Sequence, residues 1–130
     1  MKSMPSPPKL LVVLVEDDAA TREVFGIALE IEGFVVVTFE TAEKALDGVD
    51  ILKPAALVAD ITLPGMGGAE LVRRLRALPG LEGVQYFAVT GWDPKRLPDA
   101  DRVLFNQVFV KPIDVGVVGA AIRAAVLPAE

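Results

Sequence analysis

The chain has 130 residues, 52% of them apolar and 24% charged, enough to bury one sizeable core, and it carries a net charge of -5 at pH 7. That charge opposes a phosphate-backbone footprint, and the basic residues are scattered apart from Arg73, Arg74 and Arg76, which argues against direct nucleic-acid binding. There is no cysteine, hence no disulfide framework, thiolate metal site or cysteine nucleophile; the apolar runs are too short to span a bilayer, and a cytoplasmic location with no membrane contact is expected.

Residues 1–8 contain three prolines and two serines and read as a flexible arm. A single domain is expected over 9–127, with 128–130 as a short tail. The first strand is expected over Leu10–Val15. Val24, Ile27, Ala28 and Ile31 then fall on one helical stripe, expected to cover the sheet. A second strand follows over Phe34–Phe39. Thr41 suits the cap of a short helix over Thr41–Val49, and Lys53 and Pro54 turn the chain into a third strand at Ala55–Ala59. Leu71, Leu75 and Leu78 mark the third helix and Val84–Val89 the fourth strand. Pro94 and Pro98 each permit a helix start but not one long helix through both, so the fourth helix is expected to be short. The fifth strand is Val108–Val110, and Val115, Val118, Ile122 and Val126 line the last helix. The strands are apolar nearly throughout instead of alternating, as in a parallel sheet covered on both faces by helices. The pattern predicts an α/β fold of five β/α units.

In an open parallel sheet, functional groups collect at the carboxyl ends of the strands. Glu16 and Asp17 end the first strand, Asp60 the third, Thr90 the fourth and Lys111 the fifth. Three carboxylates brought together repel one another unless a cation sits among them, and all-oxygen donors without His or Cys suit Mg²⁺. Asp60 could then act as a nucleophile towards a phosphoryl group held by the metal, Lys111 and Thr90. Asp18, also an acid, fits a helix N-cap. The glycines of the GMGG stretch at 65–68 let a loop pass close to the site, but they spell neither a dinucleotide fingerprint nor a P-loop.

The ordered set VEDD at 15–18, DITLPGMGG at 60–68, AVTGW at 88–92 and VKP at 110–112 resembles the receiver domain of two-component response regulators, over about Lys9 to Leu127. The wording of AVTGW and VKPID is most similar to receivers of hybrid histidine kinases. The resemblance implies a flavodoxin-like, doubly wound five-stranded parallel sheet of order 2-1-3-4-5, as in the chemotaxis regulators. It implies that Asp60 accepts phosphate from a histidine kinase or a histidine phosphotransfer protein. It further implies that Mg²⁺ (or Mn²⁺) is bound by Asp17 and Asp60, by Glu16 directly or through water, and by the Thr62 backbone carbonyl. Thr90 is then the switch hydroxyl, Lys111 the phosphate-sensing cation and Lys111-Pro112 a cis peptide. A fused output domain or a downstream protein would read the state, and dimerisation is an open option.

Two features depart from the family's pattern. Members often carry an aromatic residue three positions before the lysine, where this chain has Val108, with Phe109 beside it. The short fourth helix alters the usual partner face. Gly91 leaves access to Asp60 open, and Trp92 is expected near enough to tune water entry. Two other readings stand beside the switch. One is an aspartyl-phosphate phosphatase, although such enzymes place a second acid two residues after the nucleophile, where this chain has Thr62. The other is a phosphorylation-independent scaffold. A turnover enzyme is not expected.

Overall fold

A computed structural model describes residues 9–126. The arm expected over 1–8, the tail expected over 128–130 and the last residue of the expected domain lie outside the described residues. The elements run β1 Leu11–Val15, α1 Ala19–Ile31, β2 Val35–Phe39, α2 Ala42–Leu52, β3 Ala56–Asp60, α3 Gly68–Arg76, β4 Gln85–Thr90, α4 Asp99–Arg102, β5 Gln107–Val110 and α5 Val115–Val126. All five strands are parallel, in the order β2-β1-β3-β4-β5. The flavodoxin-like topology expected from the resemblance is the one adopted. Its strand order reverses beside β1, which places the carboxyl ends of β1 and β3 next to each other.

Alternating strand residues feed two cores. Val13, Val15, Leu57, Ala59 and Tyr86 pack towards α2 and α3, against Ala45, Val49, Leu71 and Leu75. Val12, Leu14, Val58, Phe87 and Phe109 pack on the opposite face with Phe25 and Leu29 of α1 and Val118 and Ile122 of α5. Burying a side chain such as Leu29 or Leu57 contributes about 2 kcal/mol relative to leaving it in water.

Coverage of both faces holds for β1, β3 and β4 but not for the edges. Val35 of β2 and Val110 of β5 are exposed, because an edge strand has one neighbour and a helix above only part of its width. Helix α1 corrects the sequence reading more sharply. Its buried residues are Phe25, Gly26 and Leu29, whereas Val24, Ile27 and Ile31 are 68%, 49% and 79% exposed. The apolar residues supply two stripes one position apart, about 100° around the helix. The stripe that buries the aromatic ring wins, since Phe25 removes more surface from water than Val24 can. Gly26 faces β2, where a Cβ would make ordinary contact with Thr38 Cγ2 at 3.5 Å.

The capping residues behave as their chemistry dictates. Asp18 caps α1 by accepting from the Thr21 amide at 2.8 Å and hydroxyl at 2.6 Å, and Thr41 caps α2 by accepting from the Lys44 amide. Lys53 closes α2 in the left-handed conformation, with φ 47°. The prolines limit the fourth helix as expected: Pro94–Arg96 form one 3₁₀ turn and α4 is a single turn of four residues. Helix α4 itself buries no residue, and arginines hold it and its flanks in place. Arg73 pairs with Asp101 at 2.7 Å, Arg76 donates twice to the Leu104 carbonyl, and Arg102 donates to the Pro94 and Leu97 carbonyls. At the other end of α3, Gly68 sits so close to β3 that a Cβ there would fall 2.5 Å from the Asp60 carbonyl oxygen.

Candidate functional site

The carboxyl ends of β1, β3, β4 and β5 meet at one edge. Carboxylate oxygens of Glu16, Asp17 and Asp60 lie within 4.8 Å of one another. Glu16 and Asp60 are buried at 3% and 2% exposure, and Asp17 is exposed. Lys111 reaches across the sheet from β5 and donates to Asp60 Oδ2 at 2.7 Å and to Glu16 Oε1 at 3.1 Å. Four of the five predicted side chains therefore form one cluster. The fifth, Thr90, is buried on β4, and its Oγ1 accepts the Trp92 amide at 2.9 Å. Asp18 stands outside the cluster, occupied as the cap of α1.

Asp60 has both carboxylate oxygens engaged. Oδ1 accepts from the Thr62 amide at 2.8 Å and from the Thr62 hydroxyl at 2.7 Å, a local turn in which an Asp side chain caps the backbone two residues on. Burial pushes the Asp60 carboxyl up, but hydrogen bonds from Lys111 and from Thr62 outweigh it and hold the group below the usual carboxylate range. Glu16 goes the other way. Burial, helped by the charge on Asp60, pushes it up to about 7 against the hydrogen bond from Lys111. Burial disfavours the Lys111 ammonium, yet its bonds to Asp60 and Glu16 prevail and raise it above the usual lysine value.

The acidic loop after β1 is fastened by a residue the sequence gives no reason to choose. Arg22 of α1 donates to the Glu16 carbonyl at 3.0 Å and to the Asp17 carbonyl at 3.4 Å. The Thr62 side chain is a second addition, since the sequence singled out only its carbonyl; the Asp-x-Thr spacing was the signal that could have found it. Lys111-Pro112 is cis, as the resemblance implied.

Trp92 is half exposed, and a side chain at Gly91 would meet no atom within 4 Å, so the approach beside Thr90 is open. Val108 and Phe109 point to opposite faces of β5. Val108 packs against the core on the α2 and α3 face, whereas Phe109 lies in the other core with its ring 6.2 Å from that of Phe87. The neighbouring aromatic therefore does not stand in for the one absent at 108.

All four site-bearing strand ends fall within residues 12–123, which match the response regulator receiver domain, and the chain belongs to that family. Receiver domains are regulatory switches rather than turnover enzymes, work with histidine kinases or phosphotransfer proteins, and bind Mg²⁺ in the acidic site. An uncharacterized 14.6 kDa protein of Leptolyngbya boryana is 35% identical over 106 residues, 79% of each chain. The response regulator receiver domain from Methylobacillus flagellatus superposes with a TM-score of 0.84 at 29% identity, covering 91% of this chain and 99% of that one. The receiver domain of the sensor histidine kinase PA1611 of Pseudomonas aeruginosa PAO1, described with a magnesium ion in its active-site cleft, shares the fold at 19% identity, with a TM-score of 0.82 over 92% of this chain and 98% of its own. Other curated relatives are longer, and the chain spans 22%, 32% and 35% of three of them. Among the described residues no helix is long and apolar enough to cross a membrane.

Proposed function

We propose that the chain is a Mg²⁺-dependent phosphoacceptor switch of two-component signalling, with Asp60 as the residue modified. A carboxylate oxygen of Asp60 forms the new O–P bond, the P–N bond of a donor phosphohistidine breaks, and the imidazole nitrogen leaves with a proton from solvent. The single observation that carries this reading is the ammonium of Lys111 bridging Asp60 and Glu16 while Glu16 Oε2 is buried without a hydrogen-bond partner among the described residues. A buried carboxylate oxygen left unpaired is costly, and a hard cation beside it is the ligand that an all-oxygen donor set fits. Glu16, Asp17, Asp60 and the Thr62 backbone carbonyl would hold the ion, Mg²⁺ or Mn²⁺. Bound there, the metal neutralises phosphoryl oxygens and offsets the repulsion among the carboxylates.

The chain's own residues prepare the transfer. Lys111 keeps Asp60 anionic, and therefore nucleophilic, at neutral pH. Once phosphate adds close to two negative charges at Asp60, the Lys111 ammonium has a stronger anion to follow, and the Thr90 hydroxyl, whose oxygen accepts the Trp92 amide, has its proton to donate to a phosphoryl oxygen. The donor is a histidine kinase or histidine phosphotransfer protein, the setting is cytoplasmic, and a partner or a fused output domain reads the result. The phosphatase reading finds no support at Thr62, whose hydroxyl is bound to Asp60 Oδ1 where a second acid would be needed. The test is direct: Mg²⁺ with acetyl phosphate or beryllofluoride should change Trp92 fluorescence in the native chain and leave Asp60→Asn unresponsive. A native chain that stays folded and silent would overturn the proposal.

A further inference from the structure

The loop between β3 and α3 carries Thr62, and it is short of anchors on its outer side. Leu63 is buried and Met66 is packed against the core, but Pro64 and Gly65 between them are exposed. One long-range side-chain hydrogen bond fastens this tip. Oε1 of Glu43, in the first turn of α2, accepts the Met66 amide at 2.8 Å across 23 residues of sequence. The same oxygen lies 3.1 Å from where a Cβ on Gly65 would stand, and Gly65 has φ +73°. The tip is thus folded around a carboxylate, with a residue of left-handed conformation and no side chain at the point of closest approach.

We infer that Glu43 is a positioning residue for the acidic site: by tying the Met66 amide to α2 it fixes the loop on which Thr62 presents its amide and hydroxyl to Asp60 and, on the reading proposed above, its carbonyl to the metal. The effect runs through hydrogen-bond acceptance and not through charge. That separates it from the general negative field of the neighbourhood, and it sets different expectations for three variants. Glu43→Gln keeps a carbonyl oxygen at the same reach and should behave as the native chain does. Glu43→Asp is one methylene too short, and Glu43→Ala removes the acceptor.

Amide hydrogen exchange, which needs no metal, reads the clamp itself. Met66 and Thr62 amides should exchange about fivefold faster or more in Glu43→Ala and Glu43→Asp, on the scale of one lost hydrogen bond, and at the native rate in Glu43→Gln. Mg²⁺ titration followed by Trp92 fluorescence should show affinity weakened by about the same factor in the first two variants, with melting temperatures lowered by only a few degrees, the scale of one lost hydrogen bond at an exposed position. Native exchange rates in Glu43→Ala, or a Glu43→Gln variant as impaired as Glu43→Ala, would overturn the inference. A native chain that binds no Mg²⁺ would instead count against the proposed function, while the exchange measurement would still decide whether the clamp exists.

Discussion

The two flanks of the strand-end site are built by different physics. On the β1 and β3 side, strands are buried on both faces, the acids emerge from fully packed backbone, and Lys111 neutralises part of their charge from across the sheet. On the β5 side, α4 is a single turn, Val110 is exposed, and the segment is held by guanidinium groups donating to carbonyls and carboxylates. The difference teaches that the β1 and β3 flank is held mainly by burial, which is hard to deform, while α4, which buries no residue, is held by polar bonds that exchange readily with water.

Four measurements break or sharpen that contrast. Truncating the buried strand, Leu57→Ala, should cost about 3 kcal/mol of unfolding free energy in a denaturant titration, whereas Val110→Ala on the exposed edge should cost under about 0.5 kcal/mol. Near-equal values would erase the distinction. Next in size is the pH dependence of the metal-free chain. Glu16 sits at about 7 when folded against an ordinary 4.5, so its favourable contribution is complete below 4.5 and lost as pH rises through 7. Thermal stability without metal should therefore fall over that window by about 2 kcal/mol, and Mg²⁺ should reverse the fall by binding the deprotonated cluster. Asp60, held below its ordinary value, acts in a separate window: its contribution is present above 3.8 and lost as pH drops further. Stability that rises from pH 5 to 7 without metal would contradict the burial assigned to Glu16.

On the other flank, Arg76→Ala removes both bonds to the Leu104 carbonyl and the guanidinium 4.8 Å from the centre of the Tyr86 ring. It should cost about 1.5 kcal/mol and speed amide exchange around α4 while leaving exchange in β3 unchanged. The smallest effect is expected at Tyr86, whose hydroxyl is buried without a partner among the described residues. Tyr86→Phe should leave stability unchanged or raise it by up to about 1 kcal/mol, and a loss would reveal a hydrogen bond that Tyr86 makes in solution.

The strand ends were legible because burial makes polarity rare there. An acid or a lysine that follows an all-apolar run stands out, and the parallel topology then fixes where it must go. That logic brought Glu16, Asp17, Asp60 and Lys111 together from three separate stretches and assigned Asp18 to its cap. It also placed Pro94 and Pro98 as limits on α4. It failed on α1, where Val24, Ile27 and Ile31 offered a stripe as apolar as the one that packs. Periodicity gives a helix its period but not its phase when both faces are greasy. Contacts between a side chain and a distant backbone left no pattern at all: nothing in the sequence joins Glu43 to Met66 or Arg76 to Leu104.

Gly68 gives α3 an additional part. With its backbone seated against the Asp60 carbonyl, where not even a methyl group would fit, the first turn of that helix has no compliant layer to absorb a shift of β3. Farther along, the same nine-residue rod carries Arg73 and Arg76, whose guanidinium groups grip Asp101 and Leu104. On the proposed reading, in which Asp60 is the residue modified, a small displacement there would be delivered as a tilt of a lever whose far arm holds the loosely built flank.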